Sequence, residues 1–353
     1  MRLGPQMSAA ACLLAGAVLL AGCGSGSDST EATVAAAENR PAPPKGAFPQ
    51  ADGRSLLELL EAAESTELTL SPQAMVFYRG ENRFPFGVLH KDHTTVPDAE
   101  VALYFAPVPE VNKDIEKAKA KGAAARATIK AREEPAVGPF PAKIESLETK
   151  PAFRARTTSE DPVAASAVYV SEIDFPTEGE WQIAALIKEG DTMSGTLLPG
   201  VTVGTFSRMP KVGEKAPLIH TPTAADVGGD LSKLTTRIPP DTQNQVDYAE
   251  ALGKEPIVLL FATPQFCQSR VCGPVVDVAE QVKHEDEGKA AFIHMEIFKG
   301  NDPAKGPNPQ VRAFRLPSEP WMFAIDKDGF IRDAIEGAFG VHALTEAVEK
   351  VAK

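Results

Sequence analysis

The stretch FATPQFCQSRVCGP, residues 261–274, decides how the C-terminal half of this chain is interpreted. It holds two cysteines, Cys267 and Cys272, with four residues between them. The apolar run PIVLLFA (256–262) leads into it and is typical of a buried strand. GPVVDVAEQVKH (273–284) follows, with valines at helical spacing. The cysteines are therefore predicted at a strand-to-helix junction, as a redox pair, two metal ligands or a structural disulfide.

Length and charge limit the possible functions. The chain has 353 residues, which predicts about two domains of ~100–200 residues each. Its formal net charge of −12 argues against binding nucleic acid or anionic lipid head groups through charge. No nucleic-acid partner is expected.

The N-terminus, MRLGPQMSAAACLLAGAVLLAGC, has the pattern of a secretory signal. Arg2 supplies a positive start, and the apolar segment 7–20 is too short for a comfortable transmembrane helix. The ending Leu20-Ala21-Gly22-Cys23 resembles the lipobox of bacterial lipoproteins. The resemblance implies removal of residues 1–22, acylation of Cys23 and an extracytoplasmic, membrane-anchored protein. The alternative is an ordinary secretory signal with an incidental cysteine.

The four cysteines then divide by position. Cys12 leaves with the signal peptide and Cys23 carries lipid, so Cys267 and Cys272 remain, in a compartment where disulfides persist. Residues 23–48 are rich in Gly, Ser, Ala and Pro and are interpreted as a disordered tether.

Residues 49–210 are predicted to be mainly β, after a helix at 55–66 with Ser55 as its N-cap. Turn signals separate the predicted strands, which are 73–80, 101–107, 167–176, 180–188 and 197–208. An aromatic strand, a Gly turn and a strand containing Trp181 meet near residue 179. This hairpin resembles extracellular immunoglobulin-like modules, which implies an all-β sandwich.

The strand pattern stops between about residues 110 and 141. The segment EVNKDIEKAKAKGAAARATIKAREE is rich in Ala and Lys and has few large apolar residues. It is interpreted as a solvated helical insertion in the sandwich, with a partner-binding arm as the alternative.

The C-terminal part, residues 211–353, has the order strand, cysteine pair, helix, strand, hairpin, helix. The later elements are predicted as a strand at 290–298, a helical turn at 311–314, a hairpin at 321–337 and a helix at 341–352. This order, the cysteine pair, Glu319-Pro320-Trp321 and the hairpin FAIDKDGFI resemble the thioredoxin-like fold, and in particular its redoxin branch. The resemblance implies an α/β domain, with Pro320 as the cis-proline that shapes a peptide-binding edge.

The resemblance also implies roles for the cysteine pair. Cys267 would be the nucleophile, at or just before the N-terminus of the 273–284 helix, aided by the positive charge of Arg270. Cys272 would be the resolving thiol. The spacing departs from the family, which has two residues between its cysteines. Cys272-Gly273-Pro274 copies part of its motif, so the reverse assignment stays open. Glu319 would oppose a nearby thiolate and raise its pKa.

Other chemistries fit the residues less well. A peroxiredoxin-type peroxidase needs Thr or Ser three positions before its reactive cysteine, where this chain has Pro264. Copper delivery on this fold needs a histidine before the late hairpin, and zinc needs two further ligands. His294 and His342 are predicted to be structural, and the His90–His93 loop has nothing beside it to complete a site. No metal or cofactor is expected.

Two functions from different classes remain. The first is a membrane-anchored thiol–disulfide oxidoreductase that acts on protein thiols or disulfides together with an unidentified redox partner. The second is a non-catalytic binding module with a fixed Cys267–Cys272 disulfide.

Overall fold

The computed structural model describes residues 37–109, 130–204, 206 and 208–352. Residues Ala36–Lys353 form one compact unit. The predicted signal peptide, Cys23 and most of the tether lie outside the described residues, as does most of the predicted helical insertion, 110–129.

The described elements are twelve strands and six α-helices. The strands are β1 (Glu64–Ser65), β2 (Thr69–Pro72), β3 (Gly80–Leu89), β4 (Glu100–Pro107), β5 (Val137–Ser146), β6 (Ala167–Phe175), β7 (Gly179–Glu189), β8 (Thr192–Val203), β9 (Ile257–Ala262), β10 (Ala291–Glu296), β11 (Trp321–Ile325) and β12 (Ile331–Glu336). The helices are α1 (Leu56–Glu61), α2 (Arg156–Ser159), α3 (Tyr248–Ala251), α4 (Cys272–Glu285), α5 (Pro309–Phe314) and α6 (Val341–Val351).

The first eight strands form one curled, mixed sheet in the order β1-β8-β7-β4-β5-β6-β3-β2. The predicted immunoglobulin-like sandwich is therefore wrong, because a sandwich consists of two separate sheets. Here residues 137–141 of β5 pair with β4 and residues 142–146 pair with β6, which joins the first eight strands into one sheet. Alternation of apolar residues indicates which face of a strand is buried, but not which strand lies beside it.

The other four strands form a second sheet in the order β10-β9-β11-β12. β10 and β9 are parallel, and β11 is antiparallel to β9 and β12. The expected sandwich followed by a thioredoxin-like α/β domain does not describe this chain, which is mostly β. Among the described helices, only α4 and α6 exceed six residues. Between β8 and β9 lies α3, a four-residue helix, with two 3-10 turns before it.

The glycines and prolines of the connection between β8 and β9 explain why its helices are short. Gly228 and Gly229 both have positive φ, at 65° and 84°, and Pro239 and Pro240 cannot donate a backbone hydrogen bond. The predicted boundary at residue 211 falls within this same connection.

The helices α4 and α6 lie between the two sheets. Val168 and Val170 on one face of β6 join a buried cluster with Val275 of α4, Leu344 of α6 and Leu260 of β9. The other face of β6 carries residues such as Tyr169 into the core of the curled sheet. Because β6 is buried on both faces, the cysteine-bearing helix packs directly against the eight-stranded sheet.

The structure confirms some of the individually predicted elements and contradicts others. Ser55 does cap α1, and its hydroxyl and Glu58 form a capping box. The predicted strand 73–80 is wrong, since the regular strand there is β3, which includes the predicted turn GENRFP. In β3 the side chains of Phe84, Phe86 and Val88 alternate into the core. The predicted insertion ends too late, since β5 begins at Val137.

Within the described ranges, no helix is long and apolar enough to cross a membrane.

Candidate functional site

The two cysteines form a disulfide at the junction of β9 and α4. Their Cα atoms are 5.9 Å apart. Cys272 is the first residue of α4, whereas Cys267 lies in the preceding loop. Cys267 was predicted at or just before the helix N-terminus, and it lies five residues before the first residue of α4. Arg270 has a positive φ of 60°, which interrupts helical geometry before Cys272.

Burial differs between the two cysteines. Cys267 is 5% exposed and Cys272 is fully buried, at 0%. The Sγ of Cys267 lies 3.2 Å from the hydroxyl oxygen of Ser269. An incoming thiolate can therefore reach the sulfur of Cys267 more easily than the sulfur of Cys272. Cys272 would be the leaving group, and its thiolate would be stabilised by the free backbone N–H groups at the N-terminus of α4.

Arg270 is half-exposed and forms an ion pair with Asp161, at 3.4 Å between Nη1 and Oδ2. Its backbone carbonyl accepts a hydrogen bond from the N–H of Ala165 at 3.3 Å. The expected positive charge is thus present in the cysteine loop, but it is shared with a carboxylate. Its main effect is to tie the loop to the segment that leads into β6.

Glu319 and Pro320 lie at the end of the sheet from which the cysteine loop emerges. The peptide bond between them is cis. The next residue, Trp321, pairs with Phe261 near the end of β9. Burial raises the pKa of Glu319, and the carboxylate of Glu296 raises it further. The environment of Glu319 is therefore acidic as well as partly buried.

A buried imidazole supports the strand that leads into the cysteine loop. His294 of β10 is fully buried, and its Nδ1 lies 2.9 Å from Oδ2 of Asp241. Its Nε2 lies 3.2 Å from the carbonyl oxygen of Ala262, the last residue of β9. Both ring nitrogens face acceptors, which favours the doubly protonated imidazolium. His294 thus holds the end of β9 in place.

The pKa of His294 is raised and the pKa of Asp241 is lowered, as expected for an ion pair. Burial alone would lower the pKa of His294, but the charge and hydrogen bond of Asp241 outweigh it and raise that pKa. Burial would raise the pKa of Asp241, but His294 outweighs it and brings that pKa down to about 2.

Glu296, also on β10, connects this polar region to the cysteine loop. It is 2% exposed and accepts hydrogen bonds from the N–H and the hydroxyl of Thr236, at 2.9 and 3.0 Å. The hydroxyl oxygen of Thr236 accepts from the N–H of Gln265 at 3.2 Å, and the Gln265 amide donates to the Thr236 carbonyl at 2.7 Å. Burial raises the pKa of Glu296. A continuous set of hydrogen bonds therefore runs from β10 to the loop that carries Cys267.

Of these supporting residues, only His294 was predicted from the sequence to be structural, and its burial in β10 confirms this. Asp241, Thr236 and Glu296 were not recognised. The available signal is the run AFIHME, in which His294 and Glu296 stand two positions apart in an otherwise apolar strand. Residues at this spacing lie on one face of a strand, and buried charges need partners. The partners Asp241 and Thr236 come from an irregular segment that carries no pattern of its own.

The stability of the protein is expected to depend on pH through His294. Its raised pKa means that its contribution is present below about pH 6.5, the unfolded value, and is lost as pH rises through the folded pKa. The contribution of Asp241, whose pKa is lowered, is lost only in strong acid. We expect His294→Gln to reduce the decline in the free energy of unfolding above about pH 6.5, measured by urea titration.

The control for this prediction is His342→Gln, since His342 is 76% exposed and pairs with Glu346 on the surface of α6. It should leave the pH profile as in the unmodified chain. Parallel profiles for His294→Gln and the unmodified chain would contradict the interpretation of His294 as a buried cation.

Other candidate ligands do not assemble. No group of three or more His, Cys, Asp or Glu residues suited to a metal ion occurs among the residues described by the structure. The His90–His93 stretch forms an exposed turn after β3, in which Asp92 accepts hydrogen bonds from the N–H and the hydroxyl of Thr94.

No known family model matches this chain, and no curated protein matches it. The site is therefore interpreted from its own geometry.

Proposed function

We propose that the chain is a thiol–disulfide oxidoreductase that acts on protein cysteines through Cys267 and Cys272. The observation that supports this proposal is the disulfide itself. It lies in a loop at a helix N-terminus, with Cys267 slightly accessible and Cys272 buried. A pair in which one sulfur can be attacked and the other can leave as a stabilised thiolate is suited to exchange.

The exchange proceeds in two balanced steps. A substrate thiolate attacks Sγ of Cys267, the bond between the protein sulfurs breaks, and Cys272 leaves with the electron pair. A second substrate thiolate then attacks the substrate sulfur of the mixed disulfide and releases Cys267 as a thiolate. The substrate gains a disulfide, and the protein's disulfide is reduced to two thiols. A disulfide-bearing redox partner restores the protein's disulfide, and the reverse sequence reduces substrates.

Anchoring and location extend the proposal. The lipobox-like ending at Cys23 and the preceding apolar segment support a lipid-anchored protein on the extracytoplasmic face of a bacterial membrane. An oxidising compartment also suits a chain whose remaining cysteines are paired. Mass spectrometry of the mature N-terminus tests this, because an unmodified Cys23 would contradict it.

A structural disulfide in a binding module is the second candidate. The burial of both cysteines, at 5% and 0% exposed, favours it. Its weakness is the short loop, since a cross-link over so few residues stabilises the folded state by only about 2 kcal/mol in the chain-entropy estimate.

Turnover distinguishes the two candidates. We expect the full chain to accelerate exchange between dithiothreitol and a peptide disulfide, and the double variant Cys267→Ser/Cys272→Ser to show only the uncatalysed rate. Equal rates for the two proteins would leave the binding module as the better interpretation.

A further inference from the structure

A cavity of about 270 Å³ adjoins the cysteine loop, between it and the eight-stranded sheet. Gln268, Ser269 and Arg270 line it on one side, and these are three of the four residues that the disulfide encloses. Residues of β2, β3 and β6 and of the connections beside them form the rest. The cavity therefore lies between the cysteine loop and the eight-stranded sheet. The exchange reaction alone gives the sheet no role.

The cavity has an apolar floor. Val88, Ala165, Ala167 and Tyr169 line it. The Tyr169 hydroxyl already donates to the carbonyl of Val96 at 2.7 Å and accepts from the N–H of Ala99 at 2.9 Å. What Tyr169 offers to a ligand is therefore its ring. A floor of this kind suits an aliphatic or aromatic group.

Besides Asp92, His93 and Arg270, the polar lining of the cavity includes amide and hydroxyl groups that can pair with a peptide backbone. Gln73 and Gln268 supply amides, and Ser71 and Ser269 supply hydroxyls. The Oε1 of Gln73 is shielded from solvent and has no hydrogen-bond partner among the described residues. A buried acceptor without a donor is costly, and a peptide N–H would satisfy it.

The cavity is close to the reacting sulfur and has a suitable size. The hydroxyl of Ser269, on its wall, lies 3.2 Å from Sγ of Cys267. A cavity of about 150 Å³ is enough to hold benzene, so this larger one can accept a leucine-sized side chain with part of its backbone. A group bound here would lie beside the disulfide.

From these observations, and resting on the proposed function, we infer that the cavity binds the residue next to the cysteine of a polypeptide substrate. It prefers an apolar side chain at that position. The eight-stranded sheet is then part of the substrate site, and the substrate class is polypeptides with an apolar residue beside the cysteine that exchanges.

The test uses the full chain and disulfide-linked dimers of the peptides Gly-Gly-Leu-Cys-Gly-Gly and Gly-Gly-Gly-Cys-Gly-Gly. We expect kcat/KM to be on the order of 10-fold higher for the leucine peptide, because its side chain is buried in the cavity. Ala165→Leu fills the floor and should bring this ratio close to one. A ratio near one in the unmodified chain, or an unchanged ratio in Ala165→Leu, would overturn the inference.

A second variant keeps the test decisive if Ala165→Leu does not fold. Gln73→Met keeps the length of the side chain but removes the acceptor, and should lower kcat/KM for both peptides about fivefold. The matched control is Gln245→Met at an exposed glutamine outside the cavity, which should change neither value. Equal behaviour of the two methionine variants would count against the inference.

Failure of the proposed function gives a different pattern. If neither peptide is exchanged, calorimetric titration of the full chain with the same two sequences, carrying Ser in place of Cys, measures binding alone. Binding of the leucine peptide about 10-fold tighter than that of the glycine peptide would support the cavity without exchange. Equal binding, or none, would overturn it.

Discussion

Replacing Cys272 by serine is expected to trap mixed disulfides between Cys267 and peptide substrates, whereas Cys267→Ser is expected to reduce exchange to the uncatalysed rate. The reason is the difference in access, since Cys267 is 5% exposed and Cys272 is fully buried. Without Cys272, the mixed disulfide has lost the thiol that resolves it from within the protein. Incubation with a disulfide-linked peptide dimer forms the adduct, because the Cys267 thiolate attacks one peptide sulfur and the other peptide leaves as a thiolate. Non-reducing mass spectrometry measures the trapped adduct.

The control for these variants is Cys23→Ser, which changes a cysteine outside the pair and should leave the rate of exchange unchanged. Trapping by Cys267→Ser instead of Cys272→Ser would show that the roles are reversed. Turnover that survives in both variants would contradict exchange through this pair.

The second large effect is predicted for Asp277, a buried residue of α4. Its Oδ1 accepts a hydrogen bond from Nε of Arg237 at 2.8 Å, and its Oδ2 accepts one from the N–H of Ala155 at 3.0 Å. The two charged side chains are only 5% and 2% exposed. Arg237 also donates to the carbonyls of Pro239 and Phe153, at 2.8 and 2.6 Å. Through these hydrogen bonds the pair holds the segment around Arg237 and the segment around Phe153 against the cysteine-bearing helix.

We expect Asp277→Ala to lower the free energy of unfolding by about 3–5 kcal/mol, because it leaves a buried guanidinium without its partner. Urea titration at neutral pH measures this loss. The matched control is Glu160→Ala, which removes the acid of an ion pair with Arg156 whose side chains are 63% and 67% exposed. It should cost about 0–1 kcal/mol. Similar losses of unfolding free energy for the two variants would contradict the stabilising role of the buried Arg237–Asp277 pair.

Local signals predicted many elements of the structure because they depend on neighbouring residues. The apolar run before Cys267 is β9, and the valine spacing after Cys272 is α4. The same holds for α1, whose capping box is formed by Ser55 and Glu58. These elements arise from periodicity and capping, which a single sequence displays.

The architecture could not be read in the same way, because it depends on contacts between distant residues. The predicted sandwich failed at β5, whose pairing with both β4 and β6 makes one sheet out of the expected two. The residue alternation of β5 would be the same in either arrangement.

The candidate site was predicted in part. The cysteine pair was found from its spacing and position, and its disulfide is present. Of its supporting residues, His294 was predicted to be structural, whereas Thr236 and Asp241 were missed because they lie far from the pair in sequence and in an irregular segment. Glu296, the partner of Thr236, could be suspected only as a polar residue within an apolar strand.

The most direct test of the central claim is the reduction potential of the Cys267–Cys272 pair, measured by equilibrating the full chain with glutathione or dithiothreitol at known ratios. An exchanging pair predicts a value between roughly −120 and −270 mV, the range of known oxidoreductases. A value below about −300 mV, typical of structural disulfides, would contradict the proposed function and favour the binding module.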